Sequence, residues 1–452
     1  MTSAISTIDA SPTKEFFIDM LVRDVPLGRA IIDLVDNSVD GANRCSIATS
    51  ELRDFWVRLE FSAARFRISD NCGGIPVEVA RDYAFRFGRP SGTPNTAGAI
   101  GQFGVGMKRS IFKLGQEFRI SSTTATSRFT VHHDVNEWKR DEKDWNFEFA
   151  SLNDGENFEE GECGTTLEVT QLHESVAQQF VLDGFAKRLS REIETAHSLV
   201  LERGLVISIN GIPLGQTTLS LLQSEILKPA SLHLELRPTG STPVQVRIVA
   251  GVSGERSYVK GGWYVFCNGR LVLGADQSEM TGWEVGESDD SDVPTIPKYH
   301  PDFAYFRGYV FFDSDDPSLL PWTTTKTGVD VDSPVYKSAR LEMMRLLRPV
   351  LDFLRRLAAE KSAKESGEQK ETPLGDAVHT AEEVSHNAVS ERTSFSSPPP
   401  AEKKAKKRTT QRIQYDAEKV DIARVKARLN VTSLRHVGES TFSYFLEAEC
   451  ND

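Results

Sequence analysis

The feature that most restricts this chain is an alternation of two hydrophobic periods over its first 360 residues. Apolar residues fall at helical spacing at about 12–44, 77–87, 104–114, 173–200 and 332–360. Between them lie strand-like runs at 54–61 (FWVRLEFS), 64–69, 117–123, 127–133, 145–150 and 165–171. A second strand-rich group follows at 204–209, 243–251, 262–273 and 304–312. Asn210-Gly211 and Asn268-Gly269, each flanked by apolar residues, are hairpin-turn signals. This pattern excludes an all-helical bundle and an all-β sandwich, and it predicts an α+β fold of two domains, 12–200 and 201–360. No period of 20–50 residues recurs, so a repeat architecture is excluded as well.

The alternation stops at residue 361. Residues 361–412 are poor in large apolar side chains and include Ser396-Ser397-Pro398-Pro399-Pro400, so a disordered linker is expected there. Residues 413–452 regain helical spacing (Val420, Ala423, Val425, Leu429) and cluster Phe442, Tyr444, Phe445 and Leu446. That piece is too small for a large core and is expected to be a small helical docking module.

Composition decides which partners are plausible. With 39% hydrophobic and 26% charged residues the chain is ordinary for a globular protein. Residues 361–412 carry ten basic and eight acidic side chains and residues 413–452 five and seven, so the formal charge of −12 belongs to the first 360 residues. An acidic body does not coat nucleic acid through its bulk field. The exception is Lys403–Arg412, with six positive charges and no acid, a candidate nucleic-acid contact or a solvated linker end. Five scattered cysteines, never in a C-x-x-C pair, read as reduced thiols. No apolar stretch reaches membrane-span length and the first residues lack a signal-peptide pattern, so a cytoplasmic protein without membrane contact is expected.

Four segments carry polar chemistry. In RAIIDLVDNSVDGANR, Asp33 and Asn37 stack one helical turn apart, away from the apolar face of Ile31, Leu34 and Val35, and Asp36 and Asp40 extend the stripe. A carboxylate and a carboxamide so placed can orient a water and hold a hard cation, although solvated polar stripes are common on helices. In RFRISDNCGGIP a strand ends in Asp70 before Gly73 and Gly74, leaving acceptor oxygens beside bare backbone that a planar base can approach. In GAIGQFGVGMKRSIFKLG, Gly101, Gly104 and Gly106 lead into a helix, whose free N–H groups favour an anion, and Lys108 adds a positive charge. The preceding Arg86–Ala99, rich in Gly, Pro, Ser and Thr, suits a mobile lid. In GECGTTLEVTQL, Thr165 opens a strand with a hydroxyl that can meet a base edge.

In this order the four segments resemble the GHKL ATPases: gyrase B subunits, MutL mismatch-repair proteins, MORC proteins and the ninety-kilodalton heat-shock chaperones, with histidine kinases sharing the nucleotide fold. The resemblance covers about residues 12–172 by motif and reaches more loosely to about 345, where the second domain is similar to the family's transducer domain. It implies a GHKL (Bergerat) α/β sandwich binding ATP and Mg²⁺. Asn37 would hold the metal, Asp70 with Thr165 would read adenine, and Gly74, Gly101, Gly104, Val105, Gly106 and Lys108 would contact the nucleotide. Lys326, in LLPWTTTKTGVD, resembles the transducer lysine that reaches the γ-phosphate. Two departures stand out. Asp33 occupies the place of the family's catalytic Glu and is one methylene shorter, which points to slow turnover, and Cys72 stands where a Gly is usual.

The resemblance implies an ATPase whose closure favours a homodimer clamping DNA or a protein. The competing expectation is a nucleotide-gated binding module with little turnover. The N-terminal position and the second domain argue against a histidine kinase, and no zinc or endonuclease motif supports a MutL-type nuclease.

Overall fold

The computed structural model describes residues 12–46, 51–88, 99–101, 106–238, 241–286, 292–400 and 413–450. Residues 1–401 form one compact unit and residues 402–452 a second. Gly104, Val105, most of the segment expected as a lid and the basic run Lys403–Arg412 lie outside the described residues.

The first sheet has eight strands: β1 (Trp56–Phe61), β2 (Phe66–Asp70), β3 (Gly115–Thr123), β4 (Ser127–Asp134), β5 (Phe149–Asp154), β6 (Gly164–Leu172), β7 (Val206–Ile209) and β8 (Ile212–Pro213). Their order is β5-β4-β3-β6-β2-β1-β7-β8, antiparallel except where β7 runs parallel to β1. Alternation along these strands sends Val57, Leu59, Phe66, Ile68, Phe118, Ile120, Leu167 and Val169 to one face, where they are buried. The opposite face pairs Glu60 with Arg67, Arg67 with Glu168, and Glu168 with Arg119, so opposite charges sit directly across neighbouring strands.

Helices Lys14–Val22, Leu27–Cys45 and Gly106–Leu114 lie over the apolar face. The expected single helix over 12–44 is two helices, because Pro26 cannot continue a helical ladder and instead precedes the second one. Helix Leu27–Cys45 buries Ile31, Leu34, Val35 and Val39 against the sheet, each contributing about 1.5–3 kcal/mol by its removal from water. Its buried set also includes Asp33 and Asp36, which no sheet contact explains.

The first sheet continues to Pro213, past the boundary expected near residue 200, because β7 supplies its parallel strand beside β1. The second domain then contributes β9 (Ser220–Gln223), β10 (Ala230–Leu236), β11 (Val244–Val252), β12 (Gly262–Cys267), β13 (Arg270–Asp276) and β14 (Phe306–Asp313). Five of these form a sheet ordered β10-β11-β14-β12-β13, with β12 parallel to β14. Both Asn-Gly turns take positive φ at both residues, Asn210 +48° and Gly211 +80°, Asn268 +45° and Gly269 +78°, as a type I′ hairpin requires. Helix Pro334–Glu365 covers one face of this sheet with Tyr336, Met343, Leu347, Val350 and Leu354.

The expectation of a disordered linker is corrected over 361–400. Those residues fold back onto the second domain: helix Pro373–Thr380 buries Leu374 and Ala377, and β15 (Glu382–Ser385) pairs antiparallel with β9. His386 stacks on Phe311 at 4.7 Å, and Phe395 packs on Phe353 at 5.7 Å. Few apolar residues suffice here because each packs on a strand or on helix Pro334–Glu365, already in place. In the second unit, helices Lys419–Leu429 and Leu434–Glu449 bury no residue and leave Phe442, Tyr444 and Phe445 exposed. Among the described residues, no helix is long and apolar enough to cross a membrane. Leu374→Ala is expected to cost about 2–4 kcal/mol, as for a core leucine, in a denaturant titration of the full chain. A loss near zero would return this segment to linker status.

Candidate functional site

Helix Leu27–Cys45 brings its polar stripe beside Gly101 and Gly106, and each carboxylate on it finds a different partner. Asp33 pairs with Arg109 of helix Gly106–Leu114, with only 6% of the Asp33 side chain exposed. Asn37, one turn on, is exposed. Asp40 accepts hydrogen bonds from the backbone N–H groups of Ile100 (2.7 Å) and Gly101 (2.8 Å), pinning the start of the glycine loop. A Cβ at Gly101 would lie 3.2 Å from Asp40 Oδ2 and 3.8 Å from Asn37 Oδ1, and one at Gly106 would lie 3.7 Å from Asp33 Oδ2. The loop therefore starts beside Asn37 and ends beside Asp33.

Asp70 closes β2 deep in the same domain. Its Oδ2 accepts from Ser38 Oγ at 2.6 Å, and its Oδ1 accepts from the N–H groups of Cys72 (3.0 Å) and Thr165 (3.1 Å). A carboxylate has about four acceptor sites, so three bonds leave one unfilled. Burial raises the Asp70 pKa above the usual value against these donors. The Thr165 and Ser122 hydroxyls share a hydrogen bond at 3.0 Å, so the link of Thr165 to Asp70 runs through the backbone. Gly74 takes φ +71°, and a Cβ there would lie 2.0 Å from the carbonyl of Thr123, so no other residue fits the turn. Cys72 is accommodated with its side chain buried. The Lys108 ammonium is also buried; it donates to the Ala84 carbonyl at 2.8 Å, and desolvation lowers its pKa to about 7.

Asp36 faces the second domain. It is fully buried and meets Arg270 of β13, Lys326 at 2.8 Å and His197 Nε2 at 3.2 Å. Burial alone would raise its pKa, but Arg270 and Lys326, with the His197 hydrogen bond, hold it well below the usual carboxylate range. Burial keeps His197 neutral by lowering its pKa. Lys326 reaches this position from a backbone at φ +53°, a strained conformation for a non-glycine residue that costs of order 1–3 kcal/mol. A second tie lies nearby: Asn268 Nδ2 donates to the Ala99 carbonyl at 3.1 Å, joining a second-domain hairpin to the segment that Asp40 holds.

The structure thus places Gly101 beside Asn37 and Gly106 beside Asp33, and Lys326 reaches the helix that carries Asp33 and Asn37. Asp70, Gly74 and Thr165 form a second cluster, tied to that helix through Ser38. The sequence reading did not single out Arg109, Arg270, His197 or Ser38. Arg270 was detectable as a lone cation inside the apolar strand RLVLG, and His197 as a lone polar ring before SLVL. Arg109 gave no signal beyond the basic pair it forms with Lys108.

Two outcomes follow. Asp36→Asn should lower stability by about 3–5 kcal/mol in chemical denaturation, since it leaves two buried cations facing a neutral group. Asp40 carries a pKa raised by burial to about 6, so between its unfolded value near 3.9 and 6 the folded state binds the extra proton. Its contribution is therefore full below about pH 4 and lost as pH rises through 6. Against Asp40→Asn, the wild-type chain should gain relative stability from pH 7 to pH 4, and parallel pH curves would refute the assignment.

No curated protein matches the chain. Residues 25–165 match the family described as histidine kinase-, DNA gyrase B- and HSP90-like ATPases. The matched span runs from the start of the Asp33–Asp40 helix through the glycine segment to Thr165, and so contains both clusters. The chain carries an N-terminal ATPase domain of the GHKL superfamily at residues 25–165.

Proposed function

We propose that the first domain binds ATP with Mg²⁺, that Asp33 serves as the base in a slow hydrolysis, and that Lys326 reports the state of the terminal phosphate to the second domain. The observation that carries this reading is the contact of Lys326 with Asp36, the residue beside Asn37. A cation delivered from one domain to the phosphate-facing helix of another can exchange its carboxylate partner for a phosphate.

The pocket chemistry fits each part of the ligand. The one unfilled acceptor site on Asp70 suits the exocyclic amine of adenine, which donates but cannot accept there. Asp40 fixes Ile100 and Gly101, and the close approach at Gly106 leaves room for phosphate oxygens along the backbone. Among the described residues, no group of three His, Cys, Asp or Glu side chains could hold a metal alone. Asn37 offers one exposed oxygen, which suits Mg²⁺, a cation that takes its other ligands from phosphate and water. When bound, the metal would neutralise phosphate charge.

In the reaction, a water oxygen attacks the γ-phosphorus as Asp33 accepts its proton. The bond from the γ-phosphorus to the β–γ bridging oxygen breaks, its electron pair stays on that oxygen, and ADP and phosphate leave. Lys326 moves to the γ-phosphate while Arg270 stays on Asp36, so the buried carboxylate keeps one cation throughout. When phosphate departs, Lys326 returns. A nucleotide-gated switch with little turnover is the second reading, favoured by the ion pair that occupies Asp33.

The test is ATP binding and turnover in three variants. Asn37→Ala should weaken Mg²⁺-dependent ATP binding by at least about tenfold. Asp33→Asn should abolish turnover while ATP still binds, and Lys326→Met should slow turnover with binding kept. Turnover unchanged in Asp33→Asn would remove Asp33 as the base, and no measurable turnover by the wild type would leave the gating reading.

A further inference from the structure

Arg109 lies one helical turn into Gly106–Leu114, the helix that follows the glycine loop. Its helix is fixed against the Asp33 helix by Ser110, whose hydroxyl contacts the carbonyls of Ala30 (2.6 Å) and Gly106 (2.8 Å). From this platform Arg109 Nη2 donates to Asp33 Oδ2, while its Nε is buried with no hydrogen-bond partner. The guanidinium fork is therefore only partly used. Asp33 takes only one donor of the fork, and a terminal phosphate, with three oxygens and more charge, can take the idle one as well.

The pairing also bears on Asp33. The guanidinium occupies Oδ2 of Asp33, so a water approaching that oxygen must displace Arg109. The side chains of Arg109 and Asp33 are 15% and 6% exposed, so water does little to screen this restraint. A would-be Cβ at Gly106, where the loop ends, lies 3.7 Å from Asp33 Oδ2. A phosphate seated against that backbone would thus come within reach of both partners.

Building on the ATP-binding reading above, we infer that Arg109 is a positioning residue that restrains Asp33 without nucleotide and transfers its guanidinium to the γ-phosphate when ATP binds, releasing Asp33. The base is freed only by the group it acts upon.

Titration calorimetry on the full chain with a non-hydrolysable ATP analogue, ADP and Mg²⁺ tests this through wild type, Asp33→Asn, Arg109→Met and the double variant. Asp33→Asn removes the competitor for the guanidinium, so it should bind the ATP analogue about tenfold more tightly, equivalent to about 1.4 kcal/mol. In the Arg109→Met background the same change should alter affinity by less than about twofold, a coupling that a purely local packing role would not produce. ADP, which lacks the γ-phosphate, should bind wild type and Asp33→Asn alike, and this comparison holds even if Arg109→Met does not fold. Equal tightening in both backgrounds, or equal tightening for ADP and the analogue, would overturn the inference while leaving ATP binding intact. A wild-type chain that binds neither nucleotide would instead overturn the reading on which it rests.

Discussion

Asp36 is buried between Arg270 and Lys326 of one domain and the helix core of another, with His197 closing the remaining side. Removing a carboxylate from water costs several kcal/mol, and only well-placed opposite charges offset it. The arrangement therefore acts as a registration mark. The two domains can pack in this relation or leave charge uncompensated, and alternatives a few ångströms away are excluded. The bond from Asn268 to Ala99 adds a neutral tie at the glycine segment. Both contacts converge on the elements that would hold phosphate, so a change at the cleft has a short physical route to the second sheet.

The charge arithmetic of the cleft is equally tight. Helix Leu27–Cys45 presents three carboxylates at Asp33, Asp36 and Asp40, and each is committed to a different element: the glycine-loop helix, the second domain and the start of the loop. A polyanion entering such a site would meet repulsion unless cations were drawn toward it. Under the proposed function Arg109 and Lys326 would supply these cations, since both are already largely buried beside the helix. On that reading Asp33 and Asp36 would be the resting partners of these two cations, while Asp40 holds backbone.

Much of this could be read from the chain itself. Strands with strict alternation, such as β1 and β6, were found to within two residues, since one face had to be buried. The stripe of Asp33, Asn37 and Asp40, the strand-end Asp70 and the glycines were visible for the same local reason. Three kinds of feature were not visible. Strands β9, β10 and β15 are short or half-exposed, and β15 exists only because β9 offers it an edge. The returning segment 361–400 looked like a linker because its few apolar residues are useful only on a surface built elsewhere. The partners of Asp36 come from positions more than 160 residues away, and no local pattern encodes which cation meets which acid.

Those long separations have a consequence during synthesis. Asp36 emerges early in translation, yet its arginine lies 234 residues later and its lysine 290 residues later. A ribosome-bound chain can complete the first sheet once β8 is out, but its central helix then carries an acid with His197 beside it and neither of its cations. The nucleotide domain must wait, protonated or open along that seam, until the second domain docks. The ion pair at Asp36 is thus complete only with the arrival of residue 326, so on the proposed function the site would mature only after the domain it would drive has been made.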